Sequence, residues 1–189
     1  MSNIVDPLVG QIATRVRVER ELRRWTLVQL AEASGVSRAM ISRIENGESS
    51  PTAVVLGKLS AAFQLSVSEL LALAEQASDR ALEGEAVEWR DPDTGYRRRQ
   101  ITTAAFPAEV AEIHLPAGAR VSYPAAAFAF IRQSIWVLDG HLTFHEGAVV
   151  HELDAGDTLE LAEPAPCVFH NTTEVECRYA VIVARAARP

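Results

Sequence analysis

The spacing of apolar residues changes once along this chain, and that change limits what the chain can fold into. From Val9 to Leu73 apolar residues recur at helical spacing, and β-branched runs are absent. From Val87 onward they come in short alternating runs broken by turn residues. The breaks fall at Asp91–Gly95, Pro116–Gly118, Asp139-Gly140, Glu146-Gly147, Ala155–Asp157 and Asn171–Thr173. Strands at that spacing, with no helices between them, imply a sandwich or barrel. Between the two textures, Ala74 to Glu88 is polar and rich in Ala and Glu, the composition of a helical extension giving way to a linker. The expected organisation is a helical domain over 9–73, a linker over 74–88 and an all-β domain over 89–189.

The net charge of −7 is unevenly distributed. Residues 1–73 hold eight basic and seven acidic residues, a balance of +1, whereas residues 74–189 hold ten and eighteen, a balance of −8. Arg15, Arg17, Arg20, Arg23 and Arg24 cluster in one N-terminal stretch, so the helical domain can present a basic face despite the acidic whole. Cys167 and Cys177 are too few for a disulfide framework. No apolar run approaches the roughly 20 residues of a membrane helix, and Met1–Val9 lacks the basic start of a signal peptide. A cytoplasmic protein with no membrane partner is expected.

Trp25 to Gly47 reads as helix, turn, helix. Thr26 can cap Leu27–Ser34, Gly35 sits where the chain reverses and needs φ > 0, and Ser37 can cap Arg38–Glu45. Leu30, Ala31, Val36, Ile41 and Ile44 fall on the faces two crossed helices would bury. Arg38, Ala39, Ser42 and Arg43 are left on the outer face of the second helix, the geometry the major groove admits. The set Leu30-Ala31, Gly35-Val36-Ser37, Ile41-Ser42-Arg43-Ile44-Glu45-Asn46-Gly47 and Pro51-Thr52 resembles the helix-turn-helix of the XRE (phage-repressor-like) family over residues 9 to 72. The resemblance implies five helices, roughly Val9–Arg23, Leu27–Ser34, Arg38–Glu45, Thr52–Phe63 and Ser66–Leu71. By position it implies base contacts from Arg38, Ala39, Ser42 and Arg43. It places Asn46, Ser49, Ser50 and Thr52 near phosphates, the last beside a helix N-terminus whose free amides suit an anion. It also implies a largely buried ion pair between Arg20 and Glu45. Leu27 departs from the family, standing where some members brace the backbone with a polar residue. Arg23 and Arg24 are expected to be solvated or to face phosphates loosely, and Trp25 to belong to the core.

The second half resembles a cupin jelly-roll barrel through Leu115-Pro116-Ala117-Gly118, Ile135-Trp136-Val137-Leu138-Asp139-Gly140, Leu153-Asp154-Ala155-Gly156-Asp157 and a last strand near Tyr179–Val183. Metal-binding cupins place a Glu seven residues before the turn glycine, where this chain has Gln133. Their first two histidines fall within Ala125–Phe130, which reads Ala-Ala-Ala-Phe-Ala-Phe, and their last falls at Cys167. An amide, apolar groups and one thiol do not make a Zn²⁺ or Fe²⁺ site, so no metal and no cofactor is expected. His141 and His145 share a strand face but lie roughly 13 Å apart at 3.3 Å per residue.

Phe128, Phe130, Gln133, Ile135, Val137, Cys167 and Phe169, with Trp136 beside them, could line a pocket for a small, largely apolar effector. Equally, the aromatics could fill the barrel and leave it a dimerisation block. Arg97-Arg98-Arg99 is expected to decorate an edge strand. Cys167 and Cys177 flank a turn centred on Thr172, and a symmetric hairpin would bring them within disulfide range, making a thiol redox sensor. The leading expectation is a non-enzymatic homodimer that binds a pseudo-palindromic double-stranded DNA operator and answers to an effector. Its rivals are the redox sensor, a cupin enzyme with an accessory DNA-binding domain, and an antitoxin-like protein-binding module.

Overall fold

The computed structural model describes residues 7–75, 88–102 and 106–185. Five helices come first: α1 (Pro7–Leu22), α2 (Leu27–Ser34), α3 (Arg38–Glu45), α4 (Ala53–Phe63) and α5 (Val67–Glu75). Hydroxyls start four of them. Thr26, Ser37, Thr52 and Ser66 accept from the backbone N–H of Gln29, Met40, Val55 and Glu69, which satisfies amides that no helical carbonyl reaches. α2 stops at Gly35, whose φ of 65° ends the helix and whose N–H returns to the Ala31 carbonyl. Leu8, Ile12, Val16, Leu30, Ile41, Ile44, Leu56 and Phe63 then close one fully buried core.

Ten strands follow: β1 (Glu88–Arg90), β2 (Arg97–Gln100), β3 (Glu109–Leu115), β4 (Arg120–Tyr123), β5 (Ile131–Asp139), β6 (His141–Glu146), β7 (Val149–Asp154), β8 (Thr158–Glu160), β9 (Cys167–His170) and β10 (Cys177–Arg185). One sheet runs β1-β2-β3-β10-β5-β8 and the other β4-β9-β6-β7, with every pairing antiparallel. β3 pairs with β10, β4 with β9, β5 with β8 and β6 with β7, which is the order made by rolling one long hairpin over on itself. The C-terminal half is therefore a cupin-type jelly roll, with the β1–β2 hairpin added to one sheet. Gly140 makes the β5–β6 corner at φ 79°, where a Cβ would lie 3.0 Å from the Glu176 carbonyl oxygen.

That topology corrects one expectation. β9 lies in one sheet and β10 in the other, so they form no hairpin. Cys167 stands opposite Tyr123 and Glu146 in one sheet, Cys177 opposite Leu115 in the other, and both thiols are free. Ala125–Phe128, between β4 and β5, forms a 3-10 turn. Most of the expected linker, residues 76–87, lies outside the described residues.

The helical half packs on the barrel through α4 and α5. The Ala53 N–H at the start of α4 donates to Asp91 Oδ1 at 3.1 Å, across from the β1–β2 turn. Ser66, ahead of α5, donates to Glu109 Oε2 at 2.6 Å. Gly57 on α4 lets the Tyr123 ring approach so closely that a Cβ there would sit 2.5 Å from Tyr123 Cδ1. Phe128 and Phe169 hold that ring edge-on, with centroids at 6.3 and 6.0 Å, so it has little room to yield. Gly57→Ala is therefore expected to destabilise the protein despite a helix-propensity gain of about 1 kcal/mol. Gly10→Ala, on open surface of α1, keeps that gain in full. The difference between the two in urea unfolding is expected to be about 1–3 kcal/mol. Equal stabilities would show an interface loose enough to absorb a methyl group.

Candidate nucleic-acid interface and barrel cavity

The principal contacts of α3 are with α1 and α2, whereas those of the barrel with the helical bundle are through α4 and α5. Ile41, Ile44 and Glu45 point inward, while Arg38, Ala39 and Arg43 are exposed and Ser42 is half-buried. Arg43 Nη2 lies 3.8 Å from the Met40 sulfur, and among the described residues neither Arg38 nor Arg43 forms an ion pair with a carboxylate. Both guanidiniums are thus available to an external acceptor. Asn46 is exposed and Ser49, Ser50 and Thr52 are half-buried on the loop that leads from α3 to α4.

The Thr52 position differs from expectation. The buried carboxylate of Asp91 occupies the N-terminus of α4, taking the Ala53 amide, and the Thr52 hydroxyl accepts from Val55 N–H. Two of the amides at the start of α4, those of Ala53 and Val55, are thus used from within the fold, and the Thr52 hydroxyl keeps its own proton to offer.

Behind the exposed face, Arg20 clamps the end of α3. Its Nε lies 2.7 Å from Glu45 Oε1 and its Nη2 2.8 Å from Oε2, a two-pronged pair, while Nη1 donates to the Trp25 carbonyl at 3.0 Å. Glu45 is only 7% exposed. The hydrogen bond to Glu45 raises the Arg20 pKa and outweighs its desolvation. Arg17 adds a bond to the Glu45 carbonyl at 2.7 Å. Arg15 and Arg23 both hold the buried Glu19, and Arg23 also bonds the Phe63 carbonyl and stacks over the Phe63 ring at 5.0 Å. The expectation that Arg23 is solvated is corrected. Of the N-terminal arginine cluster, Arg15, Arg20 and Arg23 brace α1 internally, Arg17 bonds the end of α3 from an exposed position, and Arg24 is exposed. Trp25 packs on the core, stacked on Phe63.

In the barrel, the expected pocket residues separate. Phe128, Gln133 and Phe169 line a cavity of about 40 Å³ that is closed on one side by Ser66, Val67 and Ser68 at the start of α5. Phe128 and Gln133 also border a wider cleft of about 520 Å³, together with Cys167 and the loop from Glu160 to Ala165. Ile135 and Val137 are fully buried and line neither space. Phe130 is 50% exposed because the 3-10 turn breaks the alternation that would have set it beside Phe128, and Trp136 is 46% exposed on the outer face.

Arg97-Arg98-Arg99 is not edge decoration. β1 is the edge, β2 lies inside it, and strand alternation turns Arg98 into the barrel between the exposed-side Arg97 and Arg99. The donor set does not fit a metal. Gln133 is an amide, burial pushes the Cys167 thiol up to about 12, and among the described residues no three His, Cys, Asp or Glu side chains could hold an ion. Burial likewise pushes Cys177 up to about 11, the direction that lowers a thiol's reactivity.

Sequence reasoning missed Gln29, Asp91, Arg98 and Tyr123. Thr26-x-x-Gln29 is a capping box, in which Gln29 Oε1 accepts from Thr26 N–H at 2.8 Å, and its spacing was readable. Arg98 was readable too, since a strand cannot put three consecutive side chains on one face.

The helix-turn-helix family model HTH_3 matches residues 16–70, which span most of α1 through α5. The chain is 26% identical to the HTH-type transcriptional regulator SutR of Escherichia coli over 176 residues, 90% of this chain and 92% of that one. It is 30% identical to antitoxin HipB of E. coli over 42% of its own length and 88% of HipB. The crystal structure of an HTH_3 family transcriptional regulator from Vibrio cholerae superposes with a TM-score of 0.78 at 25% identity, covering 96% of this chain and 99% of that one. The chain belongs to the HTH_3, XRE-type family of DNA-binding transcriptional regulators, with a cupin-type barrel behind its helix-turn-helix.

Proposed function

We propose that this protein is a sequence-specific regulator whose α3 reads an operator in the major groove while its barrel senses a small molecule. Arg38 and Arg43 grip guanine edges, Ala39 packs on a thymine methyl, and Ser42 reaches a base edge. Asn46, Ser49, Ser50 and the Thr52 hydroxyl fix the phosphates. The observation that carries this is the contrast along α1 and α3. Arg15, Arg20 and Arg23 are engaged inside the protein, whereas Arg38 and Arg43 stand exposed and, among the described residues, pair with no carboxylate. Arg20 and Glu45 hold the reading helix in place and touch no DNA.

The working unit is a homodimer in the cytoplasm, with half-sites centred about 34 Å apart or a multiple of it. Trp136, with Val149 and Val150 on the edge strand β7, supplies apolar surface that a second copy would cover. No catalytic role is assigned to the barrel, because the relative that matches along most of this chain is named a regulator.

Selection of bound fragments from a random duplex library tests the reading. A two-fold motif with guanines at fixed positions in each half-site is expected. Recovery of fragments with no common motif, at affinities that follow salt alone, would overturn it.

A further inference from the structure

Arg98 sits in the middle of β2, is 6% exposed and lines the small cavity beneath α5. Its Nη2 donates to the Ser68 hydroxyl, and its Nε is buried with no acceptor. Among the described residues no carboxylate forms an ion pair with it. The nearby acidic groups are otherwise engaged. Asp91 accepts from Ala53 N–H, Thr94 N–H and the Thr94 hydroxyl, and Glu109 accepts from Ser66. Burial pushes the Tyr123 and Tyr179 hydroxyls well above their ordinary range, so neither is a phenolate counter-ion. A buried cation without an anion carries a desolvation cost of several kcal/mol, and among the described residues no carboxylate offsets it.

We infer that the cavity is the binding site of a short-chain carboxylic acid, with Arg98 holding its carboxylate. This deepens the reading of the barrel as a sensor and rests on it. One guanidinium matches one negative charge, and a dianion would stay half uncompensated. The free Nε beside Nη2 presents the two parallel donors a carboxylate takes. Val67, Ile113, Phe128 and Val181 supply apolar wall beside the polar Gln133, and about 40 Å³ admits a body of only a few carbons. The site also touches the DNA-binding half. Ser68 belongs to α5, so a carboxylate that accepts from Arg98 Nε and Nη2 competes with the Ser68 hydroxyl for Nη2, in the bond tying α5 to β2. The Ser66–Glu109 bond, two residues away, ties the start of α5 to β3 instead.

The test is thermal denaturation of the full chain titrated with acetate, propionate and butyrate at constant ionic strength, balanced with sodium chloride. Propionamide serves as the neutral control. At least one acid is expected to raise Tm saturably, as mass action requires of a ligand bound to the native state. Propionamide is expected to give no shift. Arg98→Met should weaken acid binding at least tenfold and, without ligand, should melt no lower than the parent because a stranded charge has gone. Ser68→Ala, which removes the competitor for Nη2, should tighten acid binding several-fold. No saturable shift with any of the three acids, an equal shift with propionamide, or unchanged acid binding in R98M would each overturn the inference. So would an R98M protein that melts well below the parent in ligand-free buffer, since Arg98 would then be a structural group. Operator affinity measured on the same samples separates the two readings. Intact DNA binding with no acid effect rejects the carboxylate site alone, and acid binding without operator preference rejects the DNA reading alone.

Discussion

Arg20→Ala is expected to destabilise the protein by about 3–5 kcal/mol, because it strands Glu45 as a buried, unpaired carboxylate. The substitution removes both prongs of the pair and the bond to the Trp25 carbonyl. Arg17 cannot replace it, since its Nε stands 3.8 Å from Glu45 and its side chain is largely in solvent. For a chain of this size each kcal/mol moves Tm by roughly 2–4 °C, so a fall of about 6–20 °C is expected in a thermal scan. The double variant Arg20→Met with Glu45→Leu removes the stranded charge and should recover most of the loss, as buried ion pairs replaced by apolar groups of like volume commonly do. A single variant that loses less than about 1 kcal/mol would mean that water reaches Glu45 freely, as at exposed pairs.

The helical half was legible in the sequence because each signal is local. Thr26, Ser37 and Gly35 fix the ends of α2 and α3 through bonds spanning three or four residues, and the observed helices coincide with those read from the sequence. The barrel was legible as an architecture, since its turns recur, but its pairing was not. Whether β9 pairs with β10 or with β4 and β6 depends on how the whole hairpin rolls, and no residue near Thr172 encodes that. The cysteine proposal failed for this reason. Phe130 failed for a smaller one: Ala125–Phe128 reads equally well as strand or as tight turn, and two χ-rich aromatics carry no signal of which side they take. The contacts between the halves were the least legible. Asp91 capping α4, Tyr123 against Gly57 and Arg98 reaching Ser68 join residues 30 to 66 positions apart, and each makes sense only once both partners have folded.

Arg38→Ala and Arg43→Ala are expected to leave stability nearly unchanged and to alter DNA recognition sharply. Both side chains are exposed and make no internal ion pair among the described residues, so each truncation should stay within about 0.5 kcal/mol of the parent in unfolding. In binding, a guanidinium that takes O6 and N7 of one guanine is worth about 1–3 kcal/mol of discrimination, or roughly five- to 150-fold against the wrong base. Each variant should therefore lose preference at one operator position per half-site and keep the others, and the double variant should lose both. Salt dependence separates base from phosphate contact. An arginine on a phosphate would weaken all sequences alike and lower the slope of log affinity against log salt by about 0.9 per contact. An arginine on a guanine removes preference at its own position alone. If both variants kept the parent's full sequence preference, α3 would not be the element that reads the groove, and the exposed arginines would need another partner.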